Sequence, residues 1–163
     1  MKAKERMVNP VSVCSPEDNL AEVAATMWEG RCGALPVVDA EDRVISMITD
    51  RDVCIALGTR NLRASEVRVN DVAPPRVFTC LDSDDISLVL RTMVAQNVRR
   101  LPVVNRERRL VGIISVDDFL LDAQAGKAGV LSLEALEALK TIVENRRGDP
   151  IPKRPTQALA ARA

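Results

Sequence analysis

The chain is written twice. With an offset of 66, residues 6–54 lie on residues 72–120 without a gap, and 14 of the 49 paired positions are identical. Leu35-Pro36-Val37-Val38 falls on Leu101-Pro102-Val103-Val104, Met27 on Met93, Arg43 on Arg109 and Asp52 on Asp118. Other pairs exchange like for like: Leu20 with Ile86, Val44 with Leu110, Thr49 with Ser115. A unit of about 50 residues buries too little surface to stand alone, so the two copies must share a core.

Each copy reads the same way. Ser15-Pro16 and the acids after it suit a helix start, with Ser15 at the N-cap. Leu20, Val23, Ala24, Met27 and Trp28 then recur at helical spacing, as do Ile86, Val89, Leu90, Met93 and Val94. The runs around Leu35–Val38 and Leu101–Val104 predict buried strands. The polar tetrads 39–42 and 105–108 predict hairpin connections to second strands at 44–48 and 110–114. A hydroxyl followed three residues later by an acid, Thr49-x-x-Asp52 and Ser115-x-x-Asp118, opens a second helix in each copy. The first of these is expected to close at Leu57-Gly58. Short extended pieces at 11–13 and 77–79 complete a β-α-β-β-α order. The expected fold is therefore α/β (α+β), two pseudo-twofold repeats packed sheet to sheet with two equivalent clefts between them. The expected organisation is repeat 1 at 7–57, a linker at 58–71, repeat 2 at 72–121, a linker at 122–130, an amphipathic helix at 131–147 and a disordered tail at 148–163. In that helix Leu133, Leu136, Leu139 or Lys140, and Val143 mark the apolar stripe, which either folds back on its own chain or reaches a dimer mate or effector.

Composition removes several functions. The chain has 23 basic and 23 acidic residues, so no global field draws in nucleic acid. Its only aromatics are Trp28, Phe78 and Phe119, too few for a stacking platform. Nucleic acid is not expected as a partner. The polar N-terminus does not resemble a signal peptide, and no window reaches the roughly 18 apolar residues of a membrane helix. A cytoplasmic protein is expected. Histidine is absent, the four cysteines form no C-x-x-C, and neither a P-loop nor a G-x-S-x-G occurs. No metal site, required cofactor or catalytic residue is expected, and an enzyme is the least favoured class.

A β-α-β-β-α repeat with an LPVV strand, a charged turn and a Gly-h-h-[Ser/Thr]-x-x-Asp ending resembles the CBS domain, the regulatory module of cystathionine β-synthase. The ending is complete at Gly112-Ile113-Ile114-Ser115-Val116-Asp117-Asp118, while the first copy carries Ser46 in place of the glycine. The resemblance covers residues 7–121 and implies a tandem pair that binds an adenosyl ligand, AMP, ADP, ATP or S-adenosylmethionine, as a regulatory ligand. It implies ribose contacts from Asp52 and Asp118 and places Thr49 and Ser115 near ribose or phosphate. Gly33, Ala34, Leu35 and Pro36, with Arg99, Arg100, Leu101 and Pro102, would line the adenine beside Val11 and Val77. It also implies a homodimer of disc-like modules and an effector protein of unstated identity.

The hydroxyl–acid element has two readings. A capping box satisfies orphan amides at a helix start, and the same free N–H groups with a nearby carboxylate suit a phosphate and a ribose. The copies differ in charge: Arg99-Arg100 replace Gly33-Ala34, and Arg51 has its counterpart in Asp117. These arginines either remain solvated or draw a nucleotide phosphate, while Asp50, Asp52, Asp117 and Asp118 favour a cationic adenosyl compound. One further class is a redox-responsive interaction protein without nucleotide binding, using Cys14 and Cys80, which occupy equivalent positions. The competing reading makes all four cysteines small core residues, and a thiol pKa at or above about 8.5 marks that outcome.

Overall fold

The computed structural model describes residues 1–122 and 130–148; the expected disordered tail and most of the expected second linker lie outside the described residues. In repeat 1, α1 (Leu20–Glu29) is followed by β1 (Ala34–Val38), β2 (Val44–Thr49) and α2 (Asp50–Arg60). Repeat 2 runs β3 (Cys80–Leu81), α3 (Ile86–Ala95), β4 (Arg100–Val104), β5 (Leu110–Ser115) and α4 (Val116–Asp122), and α5 (Val130–Gly148) closes the described chain. Both hairpins are antiparallel and share one register: Ala34 pairs Thr49 as Arg100 pairs Ser115. The expected mixed α/β architecture of two repeats is present.

The alternation of strand side chains divides each hairpin into two faces. Leu35, Val37 and Ile48 join Leu20, Val23 and Met27 of α1 and Val53 and Ala56 of α2 in one core. Leu101, Val103 and Ile114 join the corresponding residues of α3 with Phe119 of α4. A small third cluster of Val38, Val44 and Val104, with Val77 and Leu110 against it, joins the hairpin tips of the two repeats. The tips also bond directly: Val44 N donates to Arg108 O (3.4 Å) and Leu110 N to Asp42 O (2.9 Å).

The repeats exchange their leading segments. Residues 1–8, sequence neighbours of repeat 1, pack on repeat 2, and residues 67–73 pack on repeat 1. Apart from the Val8–Ile113 pair, whose counterpart position holds Pro74, the backbone bonds match at the offset of 66. Ile86 N donates to Met1 O as Leu20 N does to Val67 O, and Ala3 N to Asp84 O as Val69 N to Asp18 O. Ala3, Val67 and Val69 are each buried to within 1%. The segment 58–71, expected as a linker, is therefore partly core, and neither repeat has its full complement of buried residues without the other's leader.

Four local expectations are corrected. The N-cap of α1 is Asn19, whose Oδ1 accepts from Ala21 N and Glu22 N while Glu22 returns a bond to Asn19 N. Ser15 instead closes a turn with Asp18, which leaves Pro16 outside the helix. Helix α2 runs past Gly58 to Arg60 and ends on Asn61 in the left-handed region (φ 53); asparagine tolerates that conformation, so glycine is not required. The leading strand lies one to three residues later than expected, as β3 in repeat 2 and as a lone Cys14–Val37 bridge in repeat 1. Among the described side chains of α5, Ala135, Ala138 and Ile142 are buried and Leu139 is partly buried, whereas Leu133 and Leu136 are 65% and 54% exposed. The small residues let α5 lie close against α3 and α4, and Ser87 Oγ donates to Glu134 Oε2 (3.0 Å) at that seam. Among the described residues no helix is long and apolar enough to cross a membrane.

Candidate functional site

The hairpin register brings the two halves of the repeated motif to one corner. Because β1 begins where β2 ends, Ala34 faces Thr49, and Gly33 O accepts from Asp50 N (3.1 Å). In repeat 2 Arg100 faces Ser115, and Arg99 O accepts from Val116 N (3.0 Å). By strand alternation Ala34, Pro36 and Thr49 share the sheet face turned from the helices, as do Arg100, Pro102 and Ser115. Leu35 and Leu101 turn the other way. Both have no exposed surface and lie in the two cores, so their side chains do not line that face.

The acid of each motif caps its helix with one oxygen. Asp52 Oδ2 accepts from Thr49 N (2.9 Å) and from Thr49 Oγ1 (2.6 Å), and Asp118 Oδ2 accepts from Ser115 N (2.7 Å). Neither Oδ1 has a partner among the described residues. Asp52 and Asp118 are half-buried, so these free oxygens can meet a ligand hydroxyl. The two hydroxyls differ. Thr49 Oγ1 is engaged twice, donating to Asp52 and accepting from Asp52 N (3.3 Å). Ser115 Oγ makes no hydrogen bond among the described residues.

Charge is divided unequally. Arg100 leans on Asp117 at 3.9 Å with its side chain 35% exposed, a loose contact that solvent screens. Arg99 and Arg51 are exposed. At the other corner the Asp50 carboxylate sits over Gly33, and a Cβ there would lie 2.9 Å from Asp50 Oδ2, so glycine makes room for the acid. Val77 is not beside Thr49. It belongs to the junction cluster with Val38 and Val44, at the far end of β2, and lines an open concavity of about 480 Å³ there. Val11 is partly buried, and none of the residues predicted around the adenine except Val77 lines the concavities at the hairpin ends. Among the described residues no group of three acids or cysteines is placed to hold a metal ion.

The redox reading fails on burial. Cys14 and Cys80 are 4% and 5% exposed, and their thiols point at Pro36 O and Pro102 O. Burial, reinforced by Asp18 beside Cys14 and Asp84 beside Cys80, pushes both thiols up to about 12. A raised pKa keeps the native thiol protonated while the unfolded thiol ionises near 9, so stability is full below about pH 9 and falls as pH rises towards 12. With iodoacetamide at pH 8 and mass-spectrometric readout, exposed Cys54 should alkylate while Cys14 and Cys80 stay unmodified until the chain is denatured. Rapid native labelling of either buried thiol contradicts this account.

The CBS domain family matches residues 3–59 and 69–122, so both matched segments begin at the exchanged leaders. Over 119 residues the chain is 34% identical to an inosine-5'-monophosphate dehydrogenase of Methanocaldococcus jannaschii, covering 73% of this chain and 23% of that protein. The chain thus spans about a quarter of that relative. Two solved structures share the fold. The CBS domain pair of protein MJ0100 in complex with 5'-methylthioadenosine and S-adenosyl-L-methionine is 23% identical with a TM-score of 0.68, over 78% of this chain and 98% of that one. The CBS domain protein PAE2072 from Pyrobaculum aerophilum complexed with AMP is 22% identical with a TM-score of 0.66, over 77% and 99%.

Proposed function

The chain belongs to the CBS domain family, as a tandem pair of its repeats, and on that premise we propose that it is a non-catalytic regulatory module. It takes up an adenosyl ligand between the repeats and passes the occupancy to a partner through the packing at their junction. The observation that carries this reading is the division of labour in Asp52 and Asp118, where one carboxylate oxygen caps a helix and the other is left for a ligand. A ribose offers two adjacent hydroxyls, and a carboxylate accepts such donors in bonds of roughly 1.5–3 kcal/mol each.

The Asp118 corner is the tighter site. Its Ser115 hydroxyl is uncommitted, whereas Thr49 is already bonded in both directions, and Arg99 and Arg100 stand where repeat 1 has Gly33 and Ala34. AMP, ADP or ATP gains from those arginines; S-adenosylmethionine gains from Asp117 and Asp118. The AMP and S-adenosylmethionine complexes of the structural relatives support either class. Calorimetry with AMP, ADP, ATP and S-adenosylmethionine tests the reading. Asp118→Ala should weaken the tightest ligand about tenfold or more, and Asp52→Ala should weaken it less. Indifference to all four compounds ends the proposal, and equal losses from the two variants end the asymmetry alone.

A homodimer and an effector protein complete the reading, which places the protein in the cytoplasm, where such ligands are made and used. Repeat 1 supports the dimer: Trp28 on α1 is 85% exposed and Ile55 on α2 50% exposed, while α5 covers the corresponding helices of repeat 2. Trp28→Glu should shift the light-scattering mass from two chains to one.

A further inference from the structure

We propose a second ligand site, separate from the Asp52 and Asp118 corners, for a small anion that carries a flat apolar ring. It occupies the concavity of about 480 Å³ at the junction of the repeats, walled by Ile45, Pro75, Arg76, Val77, Phe78 and Arg108. Arg43 and Asp39 also border it, but they are paired with each other (2.9 Å), and Glu41 answers Arg43 as well (2.8 Å). Arg76 and Arg108 are exposed and make no ion pair or hydrogen bond through their side chains among the described residues. Two unanswered guanidinium groups bordering one concavity are matched to phosphate, sulfonate or carboxylate oxygens. The opposite requirement, for a ring, comes from Phe78 and Ile45, which are 39% and 41% exposed in a chain with three aromatic residues.

Internal duplication supplies the control. At the offset of 66 the counterparts of Arg76, Phe78 and Arg108 are Pro10, Ser12 and Asp42. The fold therefore does not demand two cations and an aromatic ring there, since its other copy does without all three. The backbone at the two turn positions is the same, left-handed at Asp42 (φ 61) and at Arg108 (φ 64), so the difference between the copies lies in their side chains. The site is built from both repeats and the segment between them: Ile45 belongs to β2, Arg108 to the turn before β5, and Arg108 O accepts from Val44 N across the seam. An occupant bridging Arg76 and Arg108 ties the segment between the repeats to the tip of the second hairpin. Asp52 is seven positions beyond Ile45, and the four of them that run along β2 to Thr49 alone span about 13 Å.

Titration of the ¹⁵N-labelled full chain with phenyl phosphate, followed by amide shifts, tests this, with inorganic phosphate and benzyl alcohol as the separate halves of the ligand. Saturable shifts centred on Ile45, Val77, Phe78 and Arg108 are expected, with both halves binding more weakly than the whole. Arg76→Gln and Arg108→Gln, both on the surface, should each weaken phenyl phosphate about tenfold, and Asp52→Ala with Asp118→Ala should leave it unchanged. Absence of saturable shifts, indifference to both arginine variants, or shifts centred on Thr49 and Ser115 instead each overturn the site. Loss of adenosyl binding in the Asp variants alone bears only on the previous reading.

Discussion

Ile142→Ala is expected to lower the unfolding free energy by about 2–5 kcal/mol, while Leu136→Ala on the same helix changes it by less than about 0.5 kcal/mol. Ile142 has no exposed surface and sits in one core with Leu90, Met93 and Phe119, whereas Leu136 is 54% exposed. Removing the Ile142 side chain takes apolar contacts from α3 and α4 and leaves a void beneath a helix that packs close on small residues, Ala135 and Ala138. For a chain of this length the corresponding fall in Tm is about 4–20 °C. Urea unfolding of the two variants gives the comparison directly. Equal losses would mean that α5 presents its leucine stripe to the core after all.

The second large effect lies at the exchanged leader. Gly112→Ser should cost about 1–3 kcal/mol through overpacking. A Cβ at that position would lie 2.5 Å from Met7 Sδ, 2.7 Å from Met7 Cγ and 2.9 Å from Met7 Cβ, so the leader's backbone must move and not merely a side-chain tip. That movement strains the bonds between Val8 and Ile113, at 2.8 and 3.1 Å. Repeat 1 shows the remedy. Its counterparts of Gly112 and Met7 are Ser46 and Ala73, and Ser46 Oγ donates to Pro74 O at 2.5 Å. Large against small in one copy becomes small against large in the other. Met7→Ala together with Gly112→Ser should therefore recover stability beyond the sum of the single changes, with a coupling above about 0.5 kcal/mol in a double-mutant cycle. Strict additivity would show that the two residues do not share the space.

The Ser46 departure from the repeat pattern thus has a packing cause that lies outside its own strand. Sequence comparison of the copies exposes the substitution but not its partner, because Met7 reaches Gly112 only through the exchange of leaders, which no local pattern encodes. The hydroxyl–acid motif was more legible. Its three-residue spacing fixes the capping bond whatever surrounds it, and the matched hairpin registers follow from two strands joined by a tight turn. The stripe of α5 misled for a plain reason: leucines are the stronger hydrophobic signal, yet alanines allow the closer approach between helices. Leu35 and Leu101 misled similarly, since neighbours in a strand point to opposite faces and only the packed structure says which face is the core.

The sequence by itself determined the duplication, the order of helices and strands, the two capping acids and the family, because each rests on short-range spacing or on identity between the copies. Tertiary structure decided which leader covers which repeat, which face of α5 is buried, that Cys14 and Cys80 are sealed, and that Arg76, Phe78 and Arg108 meet at one seam. Those outcomes depend on contacts between residues far apart in the chain, where shape and closeness of approach outweigh any local preference.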